Sequence, residues 1–503
     1  MKTIAEYSDL TVFDKLPKLS TIANFMEDIN NAYGAKDCTV DALGVKKYHE
    51  LYQDASKIVN LLSHIDAKKH VVVYCQNNYN FVRSALAIMA SGKVAVLLPA
   101  QLDEKMLYGC LMKYQASSIV FENATKENTA FAKNMLLNVE FYNIDEVDFN
   151  SLETAPFNFE INENDPACIV LTGGTTGRSK GAILSHKALL TGTKNGVYAV
   201  PCVFDETYFS IIPLTHVFGL IRNLLTCLYT GSKVEFCIDM KGMFKQLPAA
   251  KPSVLILVPA LAELFLNLIK QFGMGIVGGN LKMIICGGAS VPPYLTLEYN
   301  KLGVKMFPGY GLTESANLVS GNPKQVEKPS SVGLIYPGLE VKVVDQELWL
   351  KGDNMMTSYF NEPTENEIAY TDGWFKTGDL VEFDEEGFLY IIGRIKDIIV
   401  LPNGENVSPA YVEAKINDIE VVQDSLVTLQ KNELGASILT VEILPRKAEI
   451  VKLGITNLEE YLNQEVEKVN NTLLPHERVQ KIVIRTEDFK RSPSMKIIRP
   501  RGE

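Results

Sequence analysis

No apolar run in this 503-residue sequence is long enough to cross a bilayer. The longest, Val254 to Ile269, is broken by Pro259, Glu263 and Asn267, and reads as a buried strand over Val254–Val258 followed by a helix. The opening residues, Met-Lys-Thr-Ile-Ala-Glu, lack the apolar centre of a signal peptide. The eight cysteines form no CxxC pair and show no zinc spacing. Cys75, Cys110, Cys168, Cys227 and Cys286 lie in or beside apolar runs, so buried free thiols of a reducing compartment are expected, and the expected location is cytoplasmic. A basic excess is also missing. The net charge of −11 disfavours non-specific binding to nucleic acid. A small basic cluster near the end (Lys490, Arg491, Lys496, Arg499, Arg501) is expected to be mostly solvated. No repeat of solenoid period occurs. What remains is 47% apolar and 22% charged, ordinary for a globular enzyme, and too long for one core.

The first part alternates short strands and helices. After a lead-in over residues 1–35, helical spacing runs over Lys46–Leu62, Phe81–Ser91 and Lys105–Tyr114. Strand-like runs occupy His70–Tyr74, Val94–Leu98 and Ser118–Phe121. This alternation predicts a layered α/β domain with a largely parallel sheet.

Between two further strand-like runs lies Thr172-Gly173-Gly174-Thr175-Thr176-Gly177-Arg178-Ser179-Lys180. Glycines allow positive φ and close backbone approach. Successive backbone N–H groups in such a loop form an anion nest. The hydroxyls and Lys180 add donors and a point charge. The loop suits a polyphosphate. It is not a Walker A loop, because Lys180 precedes Gly181 and a strand rather than a helix follows. Gly273-Met274-Gly275-Ile276-Val277-Gly278 matches GxGxxG by spacing only. It stands between a helix and a strand, the wrong context for dinucleotide binding.

A helix is expected over Ser185–Tyr198. Next, His216 stands between a proline-broken strand and an apolar helix, which suits a packed or capping residue, or one lining a pocket. The strands Lys282–Cys286 and Val304–Phe307 both end in small residues, Gly287-Gly288-Ala289 and Gly309-Tyr310-Gly311-Leu312-Thr313-Glu314. Ligands of open α/β sheets gather at such ends. Tyr310 offers a flat face for a purine, and Glu314 a carboxylate for Mg²⁺ on phosphate oxygens. From Val332 the chain turns β-rich. Thr377-Gly378-Asp379 reads as a turn, and Gly393-Arg394-Ile395-Lys396-Asp397 closes the large part. A helix over Leu458–Leu474 and a strand over Lys481–Arg485 complete a compact α+β piece.

Together these stretches resemble the AMP-forming adenylating enzymes: acyl-CoA synthetases, aryl-CoA ligases, luciferase and peptide-synthetase adenylation domains. The resemblance runs from about Val40 to Arg499. It implies a large N-terminal domain of layered α/β subdomains plus a β-rich subdomain (1–393), and a small mobile α+β C-terminal domain (394–503). It implies phosphate contacts at Thr172, Gly173, Gly174, Thr175, Thr176, Gly177 and Lys180, with Gly173 where serine is usual and Ser179 where proline is usual. Gly288 and Ala289 look like the adenine-side strand end. Tyr310-Gly311-Leu312-Thr313-Glu314 implies Tyr310 on adenine, Thr313 on phosphate and Glu314 on Mg²⁺. Asp379 and Arg394 would contact the ribose, Lys396 would be the hinge, and Lys496 the catalytic lysine, preceded by Met495 where glycine is usual.

The activity so implied is ATP-dependent activation of a carboxylic acid to acyl-AMP, then transfer to the thiol of coenzyme A. The alternative acceptor is the phosphopantetheine thiol of an acyl carrier protein. Amino-acid-activating members place an aspartate in the stretch aligned with Leu214–Phe218. Thr215 and His216 stand here instead, so an apolar acid, fatty or aryl, is expected.

Overall fold

The computed structural model describes residues 2–172, 179–237, 239, 241–402, 404–432, 436–491 and 497–499. Its core is two large sheets. The first has seven strands, in the spatial order Ser358–Tyr359, Gly181–Ser185, Pro166–Leu171, Val94–Leu97, His70–Tyr74, Ala116–Phe121 and Glu140–Asn143. Val71, Val72, Val73, Val94, Val96 and Ile119 are buried, because helices or the second sheet cover both faces. Continuous apolar runs therefore read correctly as strands of a parallel sheet.

The second sheet has nine strands. Pairing is parallel from Lys305–Tyr310 through Met283–Cys286, Val254–Leu257, Thr207–Ser210 and Lys233–Phe236 to Asp37–Asp41. Asp37–Asp41 forms a hairpin with Gly44–Lys47. Lys46 and Lys47 thus belong to a strand, and the helix assigned to Lys46–Leu62 starts at Tyr48. The glutamate at its third position accepts the Lys47 N–H and fixes that start.

A third, smaller sheet carries Leu339–Val344, Glu347–Gly352, Trp374–Phe383 and Leu389–Arg394. Asp379 was expected in a turn; it lies inside the strand Trp374–Phe383. The reversal occurs earlier, at Asp372 and Gly373, with φ of 51° and 78°. Beyond residue 398 the chain builds its own core. Val422–Lys431, Ser437–Pro445 and Lys481–Ile484 form a sheet, packed by the helices Pro409–Asn417 and Leu458–Asn470. The second of these ends four residues short of the expected Leu474. This piece meets the large part through Arg446. Its Nε donates to Glu263 Oε1 at 3.2 Å, and its guanidinium lies 3.9 Å from the ring centroid of Tyr294.

Two arginines of the terminal basic cluster are paired rather than solvated. Arg491 reaches Asp424 at 2.7 Å and Asp488 at 2.8 Å. Arg499 holds both carboxylate oxygens of Glu413, and its Nε lies 3.9 Å from Asp397. An antiparallel bridge joins Arg491 and Ile497. All eight cysteines are free, but Cys110 is half-buried rather than buried. Among the described residues, no helix is long and apolar enough to cross a membrane.

Candidate active site

The strands Met283–Cys286 and Lys305–Tyr310 pair in parallel, and their carboxyl ends open on one edge. Gly288 and Ala289 are exposed there. Gly288 has φ +80°, a conformation that disfavours side chains. Gly311 needs a different explanation from the one its motif gave. A Cβ there would lie 1.3 Å from the Asn317 carbonyl oxygen, so the turn's own packing demands glycine. That turn is tight. Ala316 and Asn317 both have positive φ, and the Asn354 amide donates to the carbonyls of Ser315 and Leu318 at 2.9 and 2.6 Å.

Three expected residues from separate stretches meet here. The Tyr310 hydroxyl donates to Asp379 Oδ2 at 2.5 Å. Arg394 Nε pairs with Oδ1 of the same carboxylate. Asp379 is 1% exposed, while the Arg394 side chain remains 44% exposed and forms its cover. Burial, then the Asp379 charge, pushes the Tyr310 phenol well above its ordinary range. Burial opposes the charge of Arg394, but Asp379 prevails and moves its pKa upward. Thr377 is structural. Its hydroxyl donates to the Leu348 carbonyl and accepts the Asp379 N–H, and Glu347 accepts the Gly378 N–H. These bonds hold Asp379 in place.

The glycine loop joins two antiparallel strands, Pro166–Leu171 and Gly181–Ser185. Its neck is closed by the Thr172 N–H donating to the Lys180 carbonyl at 2.8 Å. Thr172 Oγ1 accepts the Lys180 N–H at 3.3 Å. Gly173, Gly174, Thr175, Thr176, Gly177 and Lys496 lie outside the described residues. Lys180 was expected to offer its charge to phosphate. Its Nζ pairs with Glu365 Oε2 at 2.6 Å and sits 4.3 Å over the ring of Tyr359. The Tyr359 hydroxyl donates to Glu314 Oε1 at 2.5 Å. Thr313 is buried and Glu314 half-buried beside it. Among the described residues, no three or more His, Cys, Asp or Glu side chains cluster as a metal cage. A lone carboxylate suits Mg²⁺, which keeps waters and phosphate oxygens as its other ligands, so the donor set fits.

His216 is half-buried and precedes a helical run starting at Val217. Its Nδ1 accepts the Phe218 N–H at 3.2 Å, the capping arrangement. In the neutral ring the proton then resides on Nε2, an assignment made from that bond. The run is a π-helix over Gly219–Leu225, a form frequent at functional sites. Asn77 clamps the loop before it, donating to the Ile212 carbonyl at 3.0 Å and accepting the Leu214 N–H at 2.8 Å. Lys396 is exposed in the short turn Ile395–Asp397.

Tyr359, Glu365 and Asn77 were not expected at the site from the sequence. The only available signal for Tyr359 was its place in an aromatic pair, Tyr359-Phe360, after a polar stretch.

The family model described as "AMP-binding enzyme" matches residues 27–360, and "AMP-binding enzyme C-terminal domain" matches residues 396–503. The chain belongs to the AMP-binding enzyme family. The first match takes in Thr172, Lys180, His216, Tyr310, Glu314 and Tyr359; the second starts at Lys396. The family's curated members include a 4-coumarate–CoA ligase-like protein of Arabidopsis thaliana. It is 29% identical over 360 residues, covering 68% of this chain and 63% of that relative, less than two thirds of its length. A long-chain-fatty-acid–CoA ligase of Mycobacterium bovis is 27% identical over 332 residues, covering 56% of this chain and 55% of that protein. The crystal structure of an anthranilate CoA ligase with anthranoyl-AMP superposes with TM-score 0.82 at 19% identity, covering 97% of each chain. That likeness establishes the fold: mixed α/β, with a large N-terminal and a smaller C-terminal part.

Proposed function

We propose that this chain joins an apolar carboxylic acid, fatty or aryl, to the AMP of ATP and then passes the acyl group to coenzyme A. The observation that carries this reading is the meeting of Tyr310, Asp379 and Arg394, with Glu314 four residues beyond Tyr310. A carboxylate has about four lone-pair positions, so Asp379 keeps capacity for ribose hydroxyls. Tyr310 presents a face to adenine. Thr172, Thr313, Lys180 and the amides of residues 173–177 hold phosphate. Glu314 holds Mg²⁺, which supplies charge neutralisation on phosphate oxygens when bound.

In the first step a carboxylate oxygen of the acid attacks the α-phosphorus, and the bond to the β-phosphate oxygen breaks to release pyrophosphate. Acid and nucleotide are both anions. The chain's cations, Lys180 and Lys496, offset that repulsion and hold the reacting atoms in line. In the second step a thiolate attacks the acyl carbon and AMP leaves. We assign residues 1–393 to the AMP-binding domain, 394–503 to a small domain that turns about Lys396, and Lys496 to the first step alone. His216 and the apolar residues after it line the acid's entry. The names of the 4-coumarate and long-chain fatty acid relatives support an apolar acid, and the eight free thiols support a reducing, cytoplasmic setting.

ATP–pyrophosphate exchange with a panel of acids tests the first step. Fatty or aryl acids should support exchange and free amino acids should not. Addition of coenzyme A, or of an acyl carrier protein bearing phosphopantetheine, then identifies the acceptor. Exchange with amino acids only would overturn the substrate assignment.

A further inference from the structure

Tyr359 touches two groups that sequence reasoning placed in separate motifs. Its ring lies 4.3 Å under the Lys180 ammonium, and its hydroxyl donates to Glu314 Oε1 at 2.5 Å. Lys180 and Glu314 are far apart in the chain, and neither contacts the other directly among the described residues. Tyr359 is 5% exposed and its position is fixed from three sides. Its strand pairs with Ala182, two residues beyond Lys180. The Asn366 amide brackets its backbone, accepting the Tyr359 N–H at 2.7 Å and donating to its carbonyl at 2.9 Å. The chain just before it is tied to the Glu314 turn, since the Met356 N–H donates to the Glu314 carbonyl at 2.7 Å.

We propose that Tyr359 is a positioning residue that sets Glu314 for the metal ion through its hydroxyl and Lys180 for phosphate through its ring. The inference rests on the adenylation reading above. The two ends of the side chain act by different physics. The hydroxyl occupies one oxygen of Glu314 and fixes the orientation of the carboxylate, leaving Oε2 for an ion. The ring attracts the ammonium by its quadrupole, and this contact persists when phosphate displaces the Glu365 carboxylate that also pairs with Nζ.

The two ends are separable by substitution. Tyr359→Phe removes the hydroxyl and keeps the ring; Tyr359→Leu removes both. The measurement is calorimetric binding of ATP to the full chain, without magnesium and across a magnesium titration. In Tyr359→Phe the magnesium concentration giving half-maximal enhancement of ATP binding should rise about tenfold, the usual scale for losing a partner of a metal ligand. Magnesium-free ATP binding should remain unchanged. In Tyr359→Leu magnesium-free binding should weaken as well. Combining Tyr359→Phe with Glu314→Gln should add little to Glu314→Gln alone, because both act through one carboxylate. Circular dichroism establishes that each variant is folded. If Tyr359→Phe leaves the magnesium dependence unchanged, or loses magnesium-free binding as fully as Tyr359→Leu, the inference fails while the adenylation reading stands. If the unsubstituted chain takes up no ATP at any magnesium concentration, both fail.

Discussion

The Tyr310 hydroxyl donates to Oδ2 of Asp379 at 2.5 Å, linking the end of a parallel strand in one sheet to the middle of an antiparallel strand in another. The Arg394 guanidinium holds the other oxygen. Tyr310 and Asp379 are distant in sequence, yet the two side chains meet over a carboxylate that is almost wholly buried.

That link makes Tyr310→Phe informative. The variant leaves Asp379 buried with one donor fewer. A hydrogen bond to a charged group contributes about 1.5–3 kcal/mol, so the fold should lose about that much stability, and ATP should bind more weakly as Asp379 loses its fixed orientation. Equilibrium binding of ATP measures the weakening. Unaltered affinity would separate the Tyr310–Asp379 pair from the nucleotide.

Lys180 is held by Glu365 at 2.6 Å, a carboxylate in the place a phosphate would compete for. Glu365→Gln removes that competitor. ATP should bind several-fold more tightly, and the gain should vanish when Lys180 is also replaced by Gln. Weaker binding in Glu365→Gln would mean that the glutamate orients the lysine for its ligand.

His186 gives a pH dependence of stability. It is buried, and its Nδ1 accepts the Ile22 N–H at 3.1 Å, tying the N-terminal helix to the first sheet's helical cover. Burial lowers its pKa to about 4, partly offset by Asp165. The folded state therefore disfavours the proton that the unfolded chain takes up near pH 6.5. The stabilising difference is complete above that pH and is lost as pH falls toward 4. At about 1.4 kcal/mol per unit, the loss is at most about 3.5 kcal/mol. His186→Asn, which can still accept the Ile22 N–H, should flatten the stability profile between pH 6.5 and 4 in denaturant titrations.

Arg446 is one of the contacts between the two parts of the chain. Arg446→Ala removes both its bond to Glu263 and its stacking on Tyr294. Trypsin should then cut faster at the exposed Lys396. The charge exchange Arg446→Glu with Glu263→Arg should restore part of the protection. Equal cleavage rates in all three proteins would show that this contact does not hold the parts together.

Lys496→Ala should abolish formation of acyl-AMP and spare thioester formation from supplied acyl-AMP. Separate assays of pyrophosphate release and of thiol consumption distinguish the two. Loss of both to the same degree would remove Lys496 from its assigned step.

Much of the frame was legible because the strands His70–Tyr74, Val94–Leu97 and Val254–Leu257 are buried on both faces and hence continuous in apolar residues. The hairpin Asp37–Lys47 was not, since it lies at a sheet edge, is short, and carries Asp37, Asp41, Lys46 and Lys47 among its apolar residues. Tyr310, Asp379 and Arg394 were named from motif chemistry, and the structure brings these three together. Tyr359 sits in a strand of two residues, too short to have a period, and its partners come from distant stretches. The basic cluster misled for a similar reason: the acids that neutralise Arg491 and Arg499, Asp424 and Glu413, are distant in the chain.

Arg499 has a mechanical consequence. One guanidinium grips Glu413 at the first helix of the small part and lies near Asp397 in the turn Ile395–Asp397. Residues 497–499 are thus fastened to the first helix of the small part and lie beside the turn that precedes it. On the proposed rotation about Lys396, Arg499 travels with Glu413 and does not stay behind with the large part.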